Sequence, residues 1–206
     1  DWKTDTKLSK EFETLGFFIS DHPLNQYKLI FNQYNIISYD YFQNDKNALS
    51  SNIACTVLRV QEKKTQKGNS YAIIKFSDLT SVFELFVFSD IFDVNRNLLI
   101  EGNSVMITLI KNFSDDNKLQ KKINIKKITS LYDLFNKPIH NLKLRFNSIS
   151  ELEKIKSLKS DEGNATITIE IPNKSHNYIF KLKTKRKIDY KLINTLKISE
   201  NVVNNT

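Results

Sequence analysis

The spacing of apolar residues changes along the chain, and the changes divide it. Near the start, Phe12, Leu15 and Ile19 recur at helical spacing behind Ser9, with Glu11 and Glu13 in the opening turn. Ser20-Asp21-His22-Pro23 breaks that helix, and Pro23 suits the first position of the next, where its missing N–H is not needed. Leu24, Tyr27, Ile30, Phe31 and Tyr34 supply a second helical stripe. Residues 43–52 are polar and read as a linker.

From Ile53 the period shortens to that of strands. Residues 53–61, 70–77 and 82–88 predict three strands, joined by a basic loop from Glu62 to Asn69 and a turn at Asp78-Leu79-Thr80-Ser81. Ser89 to Leu99 is helix-like, with Gly102 to close it. Val105 to Ile110 predicts a fourth strand, Lys111 to Asn117 a loop, and residues 118–128 a fifth strand. Three strands, a short helix and two strands is the chain order of an OB-fold, a small Greek-key barrel. A second unit follows. Leu142, Leu144 and Phe146 alternate with polar residues, and Ser150-Glu151-Leu152-Glu153 reads as a capping box opening a helix with Leu152, Ile155 and Leu158 on one face. Ile167, Ile169 and Ile171 predict another strand, turned at Pro172-Asn173-Lys174-Ser175. Tyr178, Phe180 and Leu182 predict a half-buried one, and Asp189 is placed to cap a last helix. The expected architecture is therefore multi-domain: a short helical connector (1–52), an OB-fold β-barrel (53–130) and a small α+β domain (131–206).

Charge changes this picture a little. The 206 residues carry 31 Lys and Arg against 23 Asp and Glu, a net +8, which favours a polyanionic partner. Lys, Asn and Ile make 74 of the 206 residues and Arg only four, so many lysines are expected to be merely solvated. The connector carries −2, the predicted barrel +4 and the last unit +6, so the total is no direct measure of a binding groove.

Catalytic chemistry is not evident. His22, His140 and His176 are scattered, and none has metal-ligand spacing to Cys55, so no metal site is expected. Cys55 lies in an apolar run and reads as a small core residue, and a lone cysteine fits a reducing compartment. The four glycines form no phosphate loop, and Asp115-Asp116 reads as a solvated turn rather than a pair of metal ligands. With no membrane span or signal segment, the expected location is cytoplasmic. The chain lacks an initiator Met, so it is expected to begin inside a longer polypeptide.

What remains is a binding surface. An OB-fold holds single strands with a cationic groove and aromatic faces for base stacking. Lys63, Lys64 and Lys67 in the first loop are the leading phosphate contacts. Tyr71 and Lys75 share one face of the second strand, and Arg59, Lys111, Lys121 and Lys122 extend the positive surface. Phe83, Phe86 and Phe88 occupy both faces of the third strand, so at least one belongs to the core. The residues alone leave open a stand-alone OB-fold nucleic-acid-binding protein, an anticodon-binding module, and a pure protein-interaction module.

The segment Glu13-Thr14-Leu15-Gly16-Phe17-Phe18-Ile19-Ser20-Asp21-His22-Pro23-Leu24, about thirty residues before the predicted barrel, closely resembles the C-terminal part of the bacterial DNA polymerase III alpha subunit family. Val60 to Thr65, Lys67-Gly68-Asn69, Ala72, Asp78 and Glu84 to Phe88 agree with it, although Ser81 stands where such segments usually have glycine. The resemblance runs from about residue 9 to 130; beyond 139 it rests on length and strand order. It implies a non-catalytic part of a replicative DNA-directed DNA polymerase whose active site, and the Mg2+ it is expected to use, lie upstream. It also implies an OB-fold that guides single-stranded template, and a last domain that binds the tau subunit of the clamp loader among other holoenzyme subunits. Gln26 to Phe31 and Tyr132-Asp133-Leu134-Phe135 are loose look-alikes of a clamp-binding peptide, better explained as an amphipathic helix and a strand exit.

Overall fold

The computed structural model describes residues 4–16, 18–65, 68, 70–114, 117–156, 163–173 and 176–205. They form two compact units, Asp1–Tyr132 and Asp133–Thr206.

In the first unit, helix α1 (Thr4–Leu15) ends on Gly16, whose φ of +73° suits glycine at a helix end. A 3-10 helix follows at Pro23–Ile30, with Pro23 at its start as expected. Helix α2 (Tyr39–Asn44) begins behind Ser38, whose hydroxyl accepts from the Tyr41 N–H. Of the segment expected to be a linker, residues 45–49 are neither helix nor strand, while its ends are the last residues of α2 and the first of the strand that begins at Ser50.

Strands β1 (Ser50–Lys64), β2 (Ser70–Ser77), β3 (Val82–Val87), β4 (Ser104–Ser114) and β5 (Asn117–Ser130) form an antiparallel sheet in the order β3-β2-β1-β4-β5. Helix α3 (Ser89–Val94) lies between β3 and β4 in the chain. The sheet is open: β3 and β5 come near each other, but among the described residues no ladder joins them. The expected loop at Lys111–Asn117 is mostly strand, since Lys111 to Phe113 pair with residues 121–123 of β5. Polar residues did not end the strand because pairing continued along the hairpin.

The inward face of the sheet carries Ile53, Cys55, Val57, Ile74, Phe76, Ile107 and Leu109, packed with Tyr39, Phe42, Phe92 and Leu99. Tyr39 stacks on Phe83 with ring centroids 3.9 Å apart. Each such apolar side chain contributes on the order of 1.5–3 kcal/mol when buried. Burial raises the Cys55 thiol well above its usual pKa, so it is an inert core residue, as its apolar neighbours suggested.

The second unit follows helix α4 (Leu131–Phe135), which runs across the boundary. Strands β6 (Asn141–Arg145), β7 (Thr166–Pro172), β8 (Asn177–Lys181) and β9 (Val202–Asn205) form a mixed sheet in the order β8-β7-β6-β9, with β6 and β7 parallel. Leu142, Leu144, Ile167 and Ile169 are buried with Tyr190 and Ile193 of helix α5 (Tyr190–Thr195). Asp189 caps α5 as expected, accepting from the Leu192 N–H at 2.7 Å. Gly163 is required by close approach: a Cβ there would lie 2.2 Å from the Lys187 nitrogen.

Two expectations for this unit change. The segment with the predicted capping box is a 3-10 helix, Ile149–Ile155, without a side-chain cap; Ser150 bonds Ser148, and Glu153 pairs with Lys156. Residue 158 of that predicted stripe, and residues 174–175 of the predicted turn, lie outside the described residues. Strand β8 is exposed along its whole length, not half-buried.

Candidate nucleic-acid interface

Asp78 ties the helical segment to the sheet. Its carboxylate accepts from the N–H groups of Thr80 and Ser81, closing the turn between β2 and β3, and from the Tyr39 N–H at 2.7 Å, seating the start of α2. His22 makes a second joint. Its Nδ1 accepts from the Leu24 N–H, so the proton sits on Nε2, which lies 3.1 Å from the Ser77 hydroxyl. Burial lowers the His22 pKa, against the opposing charges of Asp78 and Asp21. The His-Pro-Leu segment is therefore a structural joint: His22 caps, Pro23 starts the helix, and Leu24 is fully buried. The 3-10 helix packs on β1, whose first half also meets the Tyr34–Ile37 segment.

That cover leaves the second half of β1 and the facing parts of β2 and β3 open. A bulge between Val57 and Arg59 turns Arg59 outward, opposite Lys75. The register then builds a grid. Arg59, Lys75 and Glu84 form one row; Gln61, Ile73 and Phe86 form the next; Lys63 and Tyr71 follow. Tyr71 and Lys75 share this face, as their spacing predicted. Phe86 is 54% exposed and Phe88 48%, whereas Phe83 is core, which answers the question the sequence left open on β3. The Lys122 ammonium lies 5.4 Å from the centre of the Phe88 ring, close enough for a cation–π contact.

The expected phosphate and base contacts divide as follows. Arg59, Lys63, Lys75 and Lys122 are exposed, and Tyr71 is half-buried. Lys64 is exposed too, but its register with Ser70 puts it on the opposite side of the ribbon from Lys63. Glu62 on that side is held by Arg96 in a two-pronged pair at 2.7 and 2.8 Å. Hydrogen bonds from Arg96 hold the Glu62 pKa down at about 2. Lys67 and the Asp115-Asp116 turn lie outside the described residues, as does the side chain of Lys121.

Lys111 is a correction. Its position on β4 has the inward parity of Val105, Ile107 and Leu109, and it is only 6% exposed. Its ammonium donates to the carbonyls of Phe42, Gln43 and Asp45 and lies 4.4 Å from the centre of the Phe42 ring. These carbonyls are at the C-terminal end of α2, where a cation meets unpaired acceptors and the negative end of the helix dipole. Lys111 is a helix cap and has no face toward a phosphate.

Phe86 and Phe88 are the candidate binding residues that sequence reasoning did not assign. The signal was there: alternation on β3 buries Phe83, Leu85 and Val87, which turns Phe86 outward. Among the described residues no three His, Cys, Asp or Glu side chains come together to hold a metal ion. No helix among them is long and apolar enough to cross a membrane.

No family model matches the chain. It is similar to curated proteins named DNA polymerase III subunit alpha. It is 28% identical over 180 residues to the one from Rickettsia bellii, covering 84% of this chain and 15% of that protein. It is 27% identical over 162 residues to the one from Borreliella burgdorferi, covering 76% of this chain and 14% of that protein. The match to the Aquifex aeolicus protein is 32% over 110 residues, or 53% of this chain and 9% of that protein. The chain thus resembles the DNA polymerase III alpha subunit over most of its own length, while spanning about 15% of the length of the first of these relatives.

Proposed function

We propose that the chain is the C-terminal, non-catalytic part of a replicative DNA-directed DNA polymerase alpha subunit. In this reading residues 53–130 are an OB-fold that binds the single-stranded template, and the last unit contacts the tau subunit of the clamp loader. The nucleotidyl transfer and its Mg2+ belong to the rest of the parent protein, which works in the cytoplasm.

The observation that carries the reading is the open grid on β1, β2 and β3. Cations at Arg59, Lys63 and Lys75 share this face with the exposed ring of Phe86, and Phe88 follows it in the chain with Lys122 alongside. A single strand needs both kinds of contact: positive charge for its phosphates and flat apolar faces for its bases. The strand order β3-β2-β1-β4-β5, with α3 between β3 and β4 in the chain, supports the OB-fold reading, since that fold is a five-stranded and partly open barrel.

The test is a titration of the 206-residue chain with fluorescent oligo-dT over a range of salt. The expected result is binding at low salt that weakens linearly on a log–log plot, with a slope of about −0.7 per phosphate neutralised. No binding at low salt would overturn the DNA assignment and leave a protein-interaction module.

A further inference from the structure

Strand β8 ends the second sheet. It pairs with β7 through Thr168↔Lys181 to Pro172↔Asn177, and among the described residues its other edge carries no partner strand. All five of its residues are exposed, including Tyr178 at 52%, Ile179 at 62% and Phe180 at 50%. The contrast with β7 is sharp. Tyr178 pairs with Ile171 and Phe180 with Ile169, so these four share one face, yet the isoleucines are buried and the aromatics are not. Whatever covers β7 stops short of β8. Tyr178 and Phe180 stack on each other there, centroids 6.4 Å apart, as a bare aromatic strip along an open backbone edge.

An apolar open edge of this kind invites strand addition, and soluble proteins normally guard against it. The charge beside it selects the partner. Lys181, Lys183, Lys185 and Lys187 follow within seven residues and are exposed. The acid that follows them, Asp189, is engaged in capping α5, and Glu170, opposite Ile179, is neutralised by Lys143 at 2.7 Å and Arg145 at 3.1 Å. The unit as a whole carries fourteen Lys and Arg against eight Asp and Glu. A second copy would bring the same lysines to the interface, whereas an acidic segment would be drawn to it.

We propose that β8 is a docking edge for an extended, acidic segment of another protein, which adds to the sheet as a fifth strand and lays its apolar side chains over Tyr178 and Phe180. This rests on the reading of the last unit as a partner-binding domain, and it names the surface and the chemistry of that partner. Main-chain hydrogen bonds supply affinity, and the lysine row sets the sign of the charge that is accepted.

The test uses the 206-residue chain and three decapeptides: alternating valine and glutamate, the same with lysine for glutamate, and the glutamate peptide N-methylated on alternate amides so that one edge cannot donate. The glutamate peptide is expected to bind about tenfold or more tightly than the lysine peptide. It is also expected to slow amide hydrogen exchange across Asn177–Lys181. Tyr178→Glu/Phe180→Glu, at exposed positions, should abolish binding while leaving the circular dichroism unchanged. Equal binding of the N-methylated peptide, unchanged exchange in β8, or displacement of the glutamate peptide by oligo-dT would each overturn the proposal. Purified tau subunit separates the two levels. If it binds wild type and the double variant equally, the edge assignment falls and the partner reading stands. If it fails to bind wild type while the glutamate peptide protects β8, the tau reading falls and the edge stands.

Discussion

The ammonium of Lys111 donates to the main-chain carbonyl of Asp45 at 2.6 Å, across 66 residues of sequence. This lysine caps a helix from a neighbouring strand, and its removal leaves several carbonyls without their cation. Lys111→Met is expected to lower the unfolding free energy by about 1–3 kcal/mol, the cost of stranding a buried polar group. Urea titration measures it. The salt dependence of oligo-dT binding should be the same as in wild type, because Lys111 faces no phosphate.

The open cations should behave in the opposite way. Arg59→Glu, Lys63→Glu and Lys75→Glu are exposed changes, expected to leave the urea midpoint nearly unchanged. For each phosphate no longer neutralised, the log–log salt slope should become shallower by about 0.7. Slopes identical to wild type in all three would remove the grid from the binding surface.

Aromatic stacking makes a separate demand. Phe86→Ala/Phe88→Ala is expected to weaken oligo-dT binding by about 1–3 kcal/mol per base stacked, with little change in salt slope. Fluorescence titration at two salt concentrations reads both quantities. Phe83→Ala should instead unfold more easily, since that ring packs under Tyr39.

His22 gives the joint a pH dependence. Its pKa is lowered in the folded chain because burial favours the neutral ring. Protonation is thus easier in the unfolded chain, so the contribution is fully present above about pH 6.5 and is lost as the pH falls through the folded pKa. Proton NMR should find His22 titrating below the ordinary histidine value, and His22→Gln should flatten the stability profile in that window. A His22 resonance titrating at or above the ordinary value would contradict this.

Gly163 should tolerate no side chain. Gly163→Ala places a methyl against the Arg186 and Lys187 backbone, which cannot yield as a flexible side chain could. A loss of about 1–3 kcal/mol is expected from overpacking, measured by thermal or urea unfolding.

The periodic parts of this chain were legible in its sequence. The alternation in β2, β3 and β7 placed those strands closely, because period two means one thing wherever one face is buried. Pro23 and Asp189 were legible as helix starts for the same local reason, since capping involves only the next three residues. The order of strands and helix in residues 53–130, and the resemblance carried by Leu15-Gly16 and His22-Pro23-Leu24, needed no coordinates either.

Whatever depended on a distant partner was decided only by the tertiary structure. Nothing local to Lys111 says that the end of α2 lies beside it, so a lysine after a strand reads as solvated until packing brings three carbonyls to it. Nothing in the spacing of Tyr178 and Phe180 tells an edge strand from a covered one, because the pattern records which face is apolar and not whether a second layer reaches it. The shift to the outward face at Arg59 follows from a single bulge, which a repeat of two cannot announce. Hydrophobic period specifies elements and faces; which faces meet, and which are left for something else to cover, is settled by long-range packing.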